Sequence, residues 1–218
     1  MPRVSYATVS KPQPDRLEDA IELGRQAGKL IGRHGPECRL LAADTAGEQT
    51  GTFVFTVQFE SIEKYAAQVE ELDQDSELRD LQISLTRSTS PIVSLGASIS
   101  TEVPLPGTHK TGRGSILEVH FVKPALGRFE GAIQEADTAA TLLEKAGAVN
   151  VQAFTMAYAG MQSGTLGLAI EWPSVKAQAL AGNIWATDPV GQTLMAAMVN
   201  GTSASTLLSS ALYREIPL

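Results

Sequence analysis

The chain has 218 residues, of which 43% are hydrophobic and 19% charged, and its net charge at pH 7 is −7. Such a composition suits a globular protein with a sizeable core. An acidic chain without a Lys/Arg block predicts no nucleic-acid partner, and the lack of about 18 consecutive apolar residues predicts no membrane span. A single cysteine, Cys38, excludes an intrachain disulfide and, with no signal-peptide pattern at the start, predicts a cytoplasmic protein.

In chain order, the first half predicts strand, helix, two strands, two helices and a strand. Strand patterns occupy residues 3–10, 38–45, 51–59 and 92–103. A helical pattern begins at Asp15 and ends before Gly35, where glycine can adopt the left-handed conformation that closes a helix. Ser61 and Asp75 are typical N-caps of the two later helices. The half therefore has the order βαββαβ.

One stretch of this half occurs twice. Residues 51–81 align without a gap to residues 164–194, an offset of 164 − 51 = 113. The strand at the start of this stretch has one strongly apolar face, because Phe53, Phe55, Val57 and Phe59 alternate with other residues. The N-caps recur at Ser174 and at Asp188 before Pro189. A fixed period over this length indicates a tandem repeat.

The repeat predicts an α+β fold of two tandem ferredoxin-like βαββαβ units. We place the first unit at residues 1–105, a Pro- and Gly-rich linker at 106–114 and the second unit at 115–218. Helices would cover one face of each antiparallel sheet. The other face needs cover as well, so the two sheets are expected to pack as a pseudo-dimeric barrel within one chain.

Three parts of the sequence carry a resemblance to a known group. They are FVFTVQFES (53–61) before Tyr65-Ala66-Ala67, the short helix opened by Asp75 or Asp188-Pro189, and SALYREI (210–216). They resemble the dimeric α+β barrel superfamily, and its NIPSNAP-like and antibiotic-biosynthesis-monooxygenase-like members in particular. The resemblance implies the barrel fold. It leaves the activity open among cofactor-free oxygenases, isomerases, cyclases and haem-binding proteins.

Strand parity predicts which side chains face away from the helices. We expect Phe53 and its alternating partners, with Ala7 and Val9, on the helix side. The opposite face, towards the other sheet, would then carry four ligand-binding candidates: Tyr6, Thr8, Gln58 and Tyr213. This assignment depends on register, since a shift of one residue exchanges the two faces of a strand.

A polar pair on the first strand of the second unit predicts the catalytic residues. Glu118 and His120 are two residues apart and so share one face, and Glu171 on a neighbouring strand is expected beside them. A histidine between carboxylates can act as a general acid or base. A structural ion pair is the alternative. The three residues lack the spacing of a metal site, and no metal is expected.

These residues support three hypotheses about function. The first is a barrel that binds a small apolar or aromatic molecule in a pocket of the second half. If catalytic, it would be a monooxygenase or isomerase without a cofactor. The second is a non-catalytic interaction or structural protein, and the third is a haem-binding NIPSNAP-like protein with His120 as ligand. Pairing of exposed sheet edges into a further homodimer is left open.

Overall fold

The computed structural model describes residues 1–218, apart from the side chain of Met161. Contacts divide the chain into two compact units. The first unit comprises Met1–Thr101, Ala157–Gly160 and Arg214–Leu218, and the second comprises Glu102–Met156 and Met161–Tyr213. No helix in the described part of the chain combines the length and the apolar character that a bilayer crossing requires.

The elements of the first half follow the predicted order. They are β1 (Val4–Pro12), α1 (Leu17–Gly32), β2 (Glu37–Thr45), β3 (Phe53–Phe59), α2 (Ile62–Gln74), α3 (Ser76–Leu85) and β4 (Ile92–Val103). All three pairings, β1 with β3, β1 with β4 and β2 with β3, are antiparallel, so the strand order is β4-β1-β3-β2. This is the arrangement of a ferredoxin-like unit.

The second half has the same order of elements, with one helix divided. Its elements are β5 (Ile116–Pro124), α4 (Phe129–Lys145), β6 (Asn150–Tyr158), β7 (Leu166–Trp172), α5 (Val175–Ala181), α6 (Ile184–Thr187), α7 (Pro189–Val199) and β8 (Ser205–Ile216). The strand order is β8-β5-β7-β6, with β7 antiparallel to both β5 and β6. The predicted fold class, α+β with two tandem ferredoxin-like units, is confirmed.

Helix starts and ends follow from the capping residues that the sequence offers. Ser61 Oγ accepts a hydrogen bond from Lys64 N at 3.3 Å, and Asp75 Oδ1 accepts one from Glu77 N at 2.9 Å. Ser174 and Asp188 cap α5 and α7 in the same way. These side chains satisfy backbone N–H groups that have no partner inside the helix. Gly35, with φ of 100°, has the predicted left-handed conformation beyond α1.

The helix-side core of each sheet contains the predicted apolar face. In the first unit, Val57 and Phe59 cluster with Val4, and Phe53 with Leu40 and Ala20. In the second, Ile170 and the fully buried Trp172 pack with Ala140 and Leu143 of α4. Burial of Trp172 in the core is as predicted.

The opposite faces differ in how they are filled. In the first unit Leu41 of β2 pairs with Val54 of β3. At the same strand positions of the second unit Phe154 pairs with Gly167. A Cβ on Gly167 would meet the Phe154 ring, so glycine makes room for the ring, which lies edge-on to Phe121 at 6.0 Å. One large and one small residue thus replace two of medium size.

Candidate functional site

A cavity of about 450 Å³ lies in the first unit, between its sheet and helices α1, α2 and α3. Its sheet wall is the apolar face of β3, and α1 contributes Leu23, Ala27 and Ile31. Tyr65 of α2 forms another part of the wall, and its ring lies perpendicular to Phe59 at 5.1 Å. The volume and the mainly apolar lining are those of a typical small-molecule site.

A few polar residues interrupt this apolar lining. Tyr6, Thr8 and Ser10 line the cavity from β1, and Asp73 and Gln82 from the helices. Burial, with a smaller contribution from Tyr65, raises the pKa of the Tyr6 hydroxyl. Tyr6 therefore stays protonated at neutral pH and can donate a hydrogen bond to an oxygen atom of a bound molecule. Asp73 is the one carboxylate among the described lining residues.

The side of β1 that faces the helices is the opposite of the predicted one. Tyr6 is directly paired with Val57, and Thr8 with Phe55, so these residues share the helix side with the phenylalanines. Tyr6 and Thr8 consequently line the cavity under the helices, whereas Ala7 and Val9 lie on the other face. The prediction was wrong because both faces of β1 carry apolar residues. Alternation alone could not distinguish the two faces.

The polar pair of the second unit lies on the helix side too. Glu118 pairs with Ile170 and His120 with Leu168, which belong to the apolar face of β7. His120 Nε2 lies 3.0 Å from Glu118 Oε1, and His120 Nδ1 lies 2.6 Å from the hydroxyl of Ser210 on β8. The predicted proximity of Glu118 and His120 is confirmed, and Ser210 joins them.

Two further side chains fix the Glu118 carboxylate. Trp172 Nε1 donates to Glu118 Oε2 at 2.9 Å, and Gln178 Nε2 of α5 donates to the same oxygen at 3.2 Å. Burial alone would raise the pKa of Glu118, but hydrogen bonds from His120, Gln178 and Trp172 outweigh it and hold the pKa below its ordinary value. Glu118 is therefore an anion with a fixed orientation at neutral pH.

Glu171 does not join this group, which corrects the expectation that it lies beside Glu118. It pairs with Leu117 of β5, so its side chain is on the opposite face of the sheet from Glu118. The buried carboxylate accepts hydrogen bonds from Gly114 N at 2.8 Å and Asn150 Nδ2 at 3.2 Å. These contacts tie the end of the linker to β6 and β7. A catalytic role for Glu171 stays a prediction.

The other two ligand-binding candidates lie outside the cavity. Gln58 pairs with Ser5 and Glu37 on the face of β3 away from the helices, as its parity predicted. Tyr213 is buried at the end of β8, and burial raises the pKa of its hydroxyl. The observed cavity is thus in the first unit, whereas the sequence placed a pocket in the second. Ligand binding by Gln58 and Tyr213 remains a prediction.

All three histidines contact carboxylates. His34 Nε2 lies 2.9 Å from Asp75, and the linker residue His109 lies 2.9 Å from Asp137 of α4. The buried position of His109 was not predicted, because the sequence of a linker gives no sign of the helix that it crosses. His120 differs from the other two in that its second ring nitrogen contacts a hydroxyl.

These residues do not suit haem or a bound metal ion. The described residues that line the cavity include neither histidine nor cysteine. Both ring nitrogens of His120 contact protein groups, so the proposed haem ligand has no free nitrogen to offer. No cluster of three His, Cys, Asp or Glu suitable for a metal ion occurs among the described side chains.

Comparison of the sequence with protein-family models and with curated proteins finds no match. Comparison of the structure finds many solved structures with the same fold. An inferred monooxygenase of Fusobacterium nucleatum has a TM-score of 0.63 at 10% identity, covering 99% of this chain and 93% of that one. An anthrone oxidase-like protein has a TM-score of 0.59 at 13% identity, covering 99% and 92%.

A mutant chlorite dismutase from Candidatus Nitrospira defluvii is also similar in structure. Its TM-score is 0.55 at 7% identity, and 99% of this chain and 92% of that chain are covered. At such identities the similarity shows the fold alone. The fold is that of proteins described as monooxygenases, anthrone oxidase-like proteins and chlorite dismutases, which is consistent with the superfamily that the sequence resembles.

Proposed function

We propose that the first unit binds a small aromatic molecule in its cavity and oxygenates it with O₂, without a bound cofactor. The observation that carries this proposal is the cavity of about 450 Å³, whose mainly apolar lining includes Tyr6. Apolar walls with a few convergent polar groups favour a flat aromatic ligand that has one or two oxygen atoms. The inferred monooxygenases and the anthrone oxidase-like protein of the same fold support the reaction type.

The chemistry needs a substrate with an acidic methylene group, such as a tricyclic aryl ketone. Loss of a proton gives an enolate, whose electrons reduce O₂. Overall, CH₂ and O₂ become C=O and H₂O, so the substrate supplies all the electrons. Tyr6 would donate a hydrogen bond to the enolate oxygen, and Asp73 at the cavity rim would accept the proton. Isomerisation would begin with the same proton transfer but would consume no O₂.

The narrower family assignments, NIPSNAP-like or antibiotic-biosynthesis-monooxygenase-like, stay part of this proposal. A non-catalytic protein that only binds an apolar molecule is the second candidate, and the same cavity supports it. Binding of the ligand and consumption of O₂ are therefore measured separately.

The test uses anthrone as the probe, with fluorescence titration for binding, an oxygen electrode for O₂ uptake and chromatography for the quinone product. Ala27→Leu should reduce the cavity and weaken binding at least tenfold, because the added side chain projects from α1 into the cavity. Tyr6→Phe should leave binding nearly unchanged and lower the rate of O₂ uptake about tenfold, since one transition-state hydrogen bond is lost.

Ala139→Leu, at the equivalent position of α4 (139 − 27 = 112), is the matched control, and thermal melts verify that each variant is folded. Binding without O₂ uptake would leave only the binding function. Equal affinity in Ala27→Leu and the wild type would remove the cavity as the binding site.

A further inference from the structure

The second unit holds a separate arrangement at the positions equivalent to the cavity-lining residues Tyr6, Thr8, Phe59 and Tyr65, and at that of Ala97, which pairs with Thr8. Five positions differ between the units in a coordinated way. With offsets of 112 for β1 and 113 elsewhere, Tyr6, Thr8, Phe59, Tyr65 and Ala97 correspond to Glu118, His120, Trp172, Gln178 and Ser210. The first set is mostly aromatic, and the second is a connected chain of hydrogen bonds.

The hydrogen bonds among these side chains indicate which groups donate and which accept. Glu118 is anionic and accepts from Trp172 and Gln178 at one oxygen and from the His120 ring at the other. In the neutral imidazole, which has one donor and one acceptor nitrogen, the nitrogen of His120 that faces Glu118 carries the proton. The opposite nitrogen, Nδ1, is left as the acceptor for the Ser210 hydroxyl at 2.6 Å.

The arrangement matches that of a serine nucleophile (Ser210), its base (His120) and a carboxylate that orients the base (Glu118). A base that accepts the hydroxyl proton of a serine makes that oxygen nucleophilic. Ser210 is exposed, so an external molecule can reach it, while His120 and Glu118 are about three-quarters buried or more. Here Nδ1 contacts the serine and Nε2 the carboxylate, and the hydrogen bond that one ring nitrogen makes sets which of the two is free to accept a proton.

We infer that Ser210, His120 and Glu118 form a nucleophilic site that takes an acyl group from a small uncharged ester. The Ser210 oxygen attacks the ester carbonyl while its proton passes to His120 Nδ1. The alcohol then leaves and takes up that proton, and Ser210 carries the acyl group. Water attacks this acyl-serine, with His120 again as base, and releases the carboxylic acid. No oxidant or cofactor takes part. The Glu118 anion disfavours negatively charged esters.

Glu118 is a positioning residue in this scheme, since it acts through His120. It accepts hydrogen bonds from Trp172 and Gln178, whose equivalents in the first unit are Phe59 and Tyr65. A structural ion pair would account for the contact of Glu118 with His120. It would not account for an exposed serine at hydrogen-bonding distance from the remaining acceptor nitrogen.

The test is acyl transfer from p-nitrophenyl acetate to the full chain, followed by release of nitrophenolate and by mass spectrometry of peptides. We expect a burst of nitrophenolate and one acetyl group on Ser210. Ser210→Ala should remove both, whereas Ser209→Ala, one residue away on β8, should keep both. His120→Ala should slow the burst at least a hundredfold, and added imidazole should restore part of it, which a purely structural histidine would not allow.

Glu118→Asp should recover more of the burst rate than Glu118→Ala if orientation of His120 is what the carboxylate provides. Acetylation confined to lysines or the N-terminus would overturn the inference. So would an unchanged burst in Ser210→Ala. Because none of these residues lines the cavity of the first unit, anthrone binding in the same variants distinguishes failure here from failure of the oxygenase proposal.

Discussion

The two units use the same strand positions for different purposes. On the helix side of its sheet, the first unit leaves a cavity behind Tyr6 and Thr8. The second unit places Glu118 and His120 there, under Trp172 and the short helix α5. The strands of the two units correspond, but the helix α2 of the first unit is divided into α5 and α6 in the second, and several side chains differ in kind. The same arrangement of strands can thus carry an apolar cavity or an ordered polar group on its helix side.

Exchange of residues between the units offers the largest expected effect. Gly167→Val introduces the residue of the equivalent position in the first unit, and it should destabilise the protein by about 3 kcal/mol because Phe154 occupies the space. Val54→Gly, the reverse change in the first unit, should cost only about 1 kcal/mol. Denaturant unfolding measures both.

The double variant Phe154→Leu/Gly167→Val tests whether the small size of Gly167 compensates for the large ring of Phe154. It recreates the Leu41–Val54 pair of the first unit and should recover about half or more of the lost free energy of unfolding. Costs that simply add would show that the two residues are not coupled, and the comparison of the two sheet faces away from the helices would fail.

Trp172→Phe makes the second unit resemble the first at the position of Phe59. We expect a loss of about 2 kcal/mol in the free energy of unfolding, since the variant leaves a void and removes the N–H bond to the Glu118 carboxylate. Trp185→Phe is the control, because Trp185 packs against the same core and makes no bond to Glu118. Equal losses in the two variants would show that the Glu118 bond contributes nothing measurable.

The smallest expected effect concerns pH. The folded pKa of Glu118 is below its ordinary value, so its charged form stabilises the protein above the unfolded pKa of about 4.3. That stability is lost as the pH falls through the lowered folded pKa. In Glu118→Gln the free energy of unfolding should thus change less between pH 5 and pH 3, by up to about 1 kcal/mol.

Thermal melts across this pH range measure the Glu118 effect, with the exposed residue changed in Glu60→Gln as the control. If both variants keep the full acid dependence of the wild type, the hydrogen bonds from His120, Gln178 and Trp172 do not hold the charge. The charge of Glu118 would then contribute nothing measurable to the stability of the second unit.

Much of the fold could be predicted because the information is local. Phe53 to Phe59 alternates with period two, Ser61 and Asp75 are caps, and the offset of 113 repeats both. Each of these signals depends on the geometry of a single strand or helix end. The faces of β1 could not be predicted in this way. Ala7 and Val9 are as apolar as a core face should be, and only the pairing of Tyr6 with Val57 shows which side the helices cover.

For the candidate sites, too, local sequence patterns predicted some features and the structure alone revealed others. The spacing of Glu118 and His120 predicted one shared face, and the structure brings them within 3.0 Å. Ser210 was missed because it is 90 residues further along the chain and no pattern marks it. The contact of Gln178 with Glu118 did leave a signal in the repeat, since Tyr65 is replaced by Gln178 where Tyr6 is replaced by Glu118. An aromatic pair exchanged for a hydrogen-bonding pair indicates contact between the two positions.

By itself, the sequence determined the class of the fold, the two units and their capped helices, because short-range periodicity and capping depend only on neighbouring residues. The tertiary structure alone decided that the helices of the first unit enclose a cavity, that Glu171 lies away from Glu118, and that Ser210 meets His120. These features follow from strand register and helix packing. Both depend on contacts between residues far apart in the chain, which no local pattern encodes.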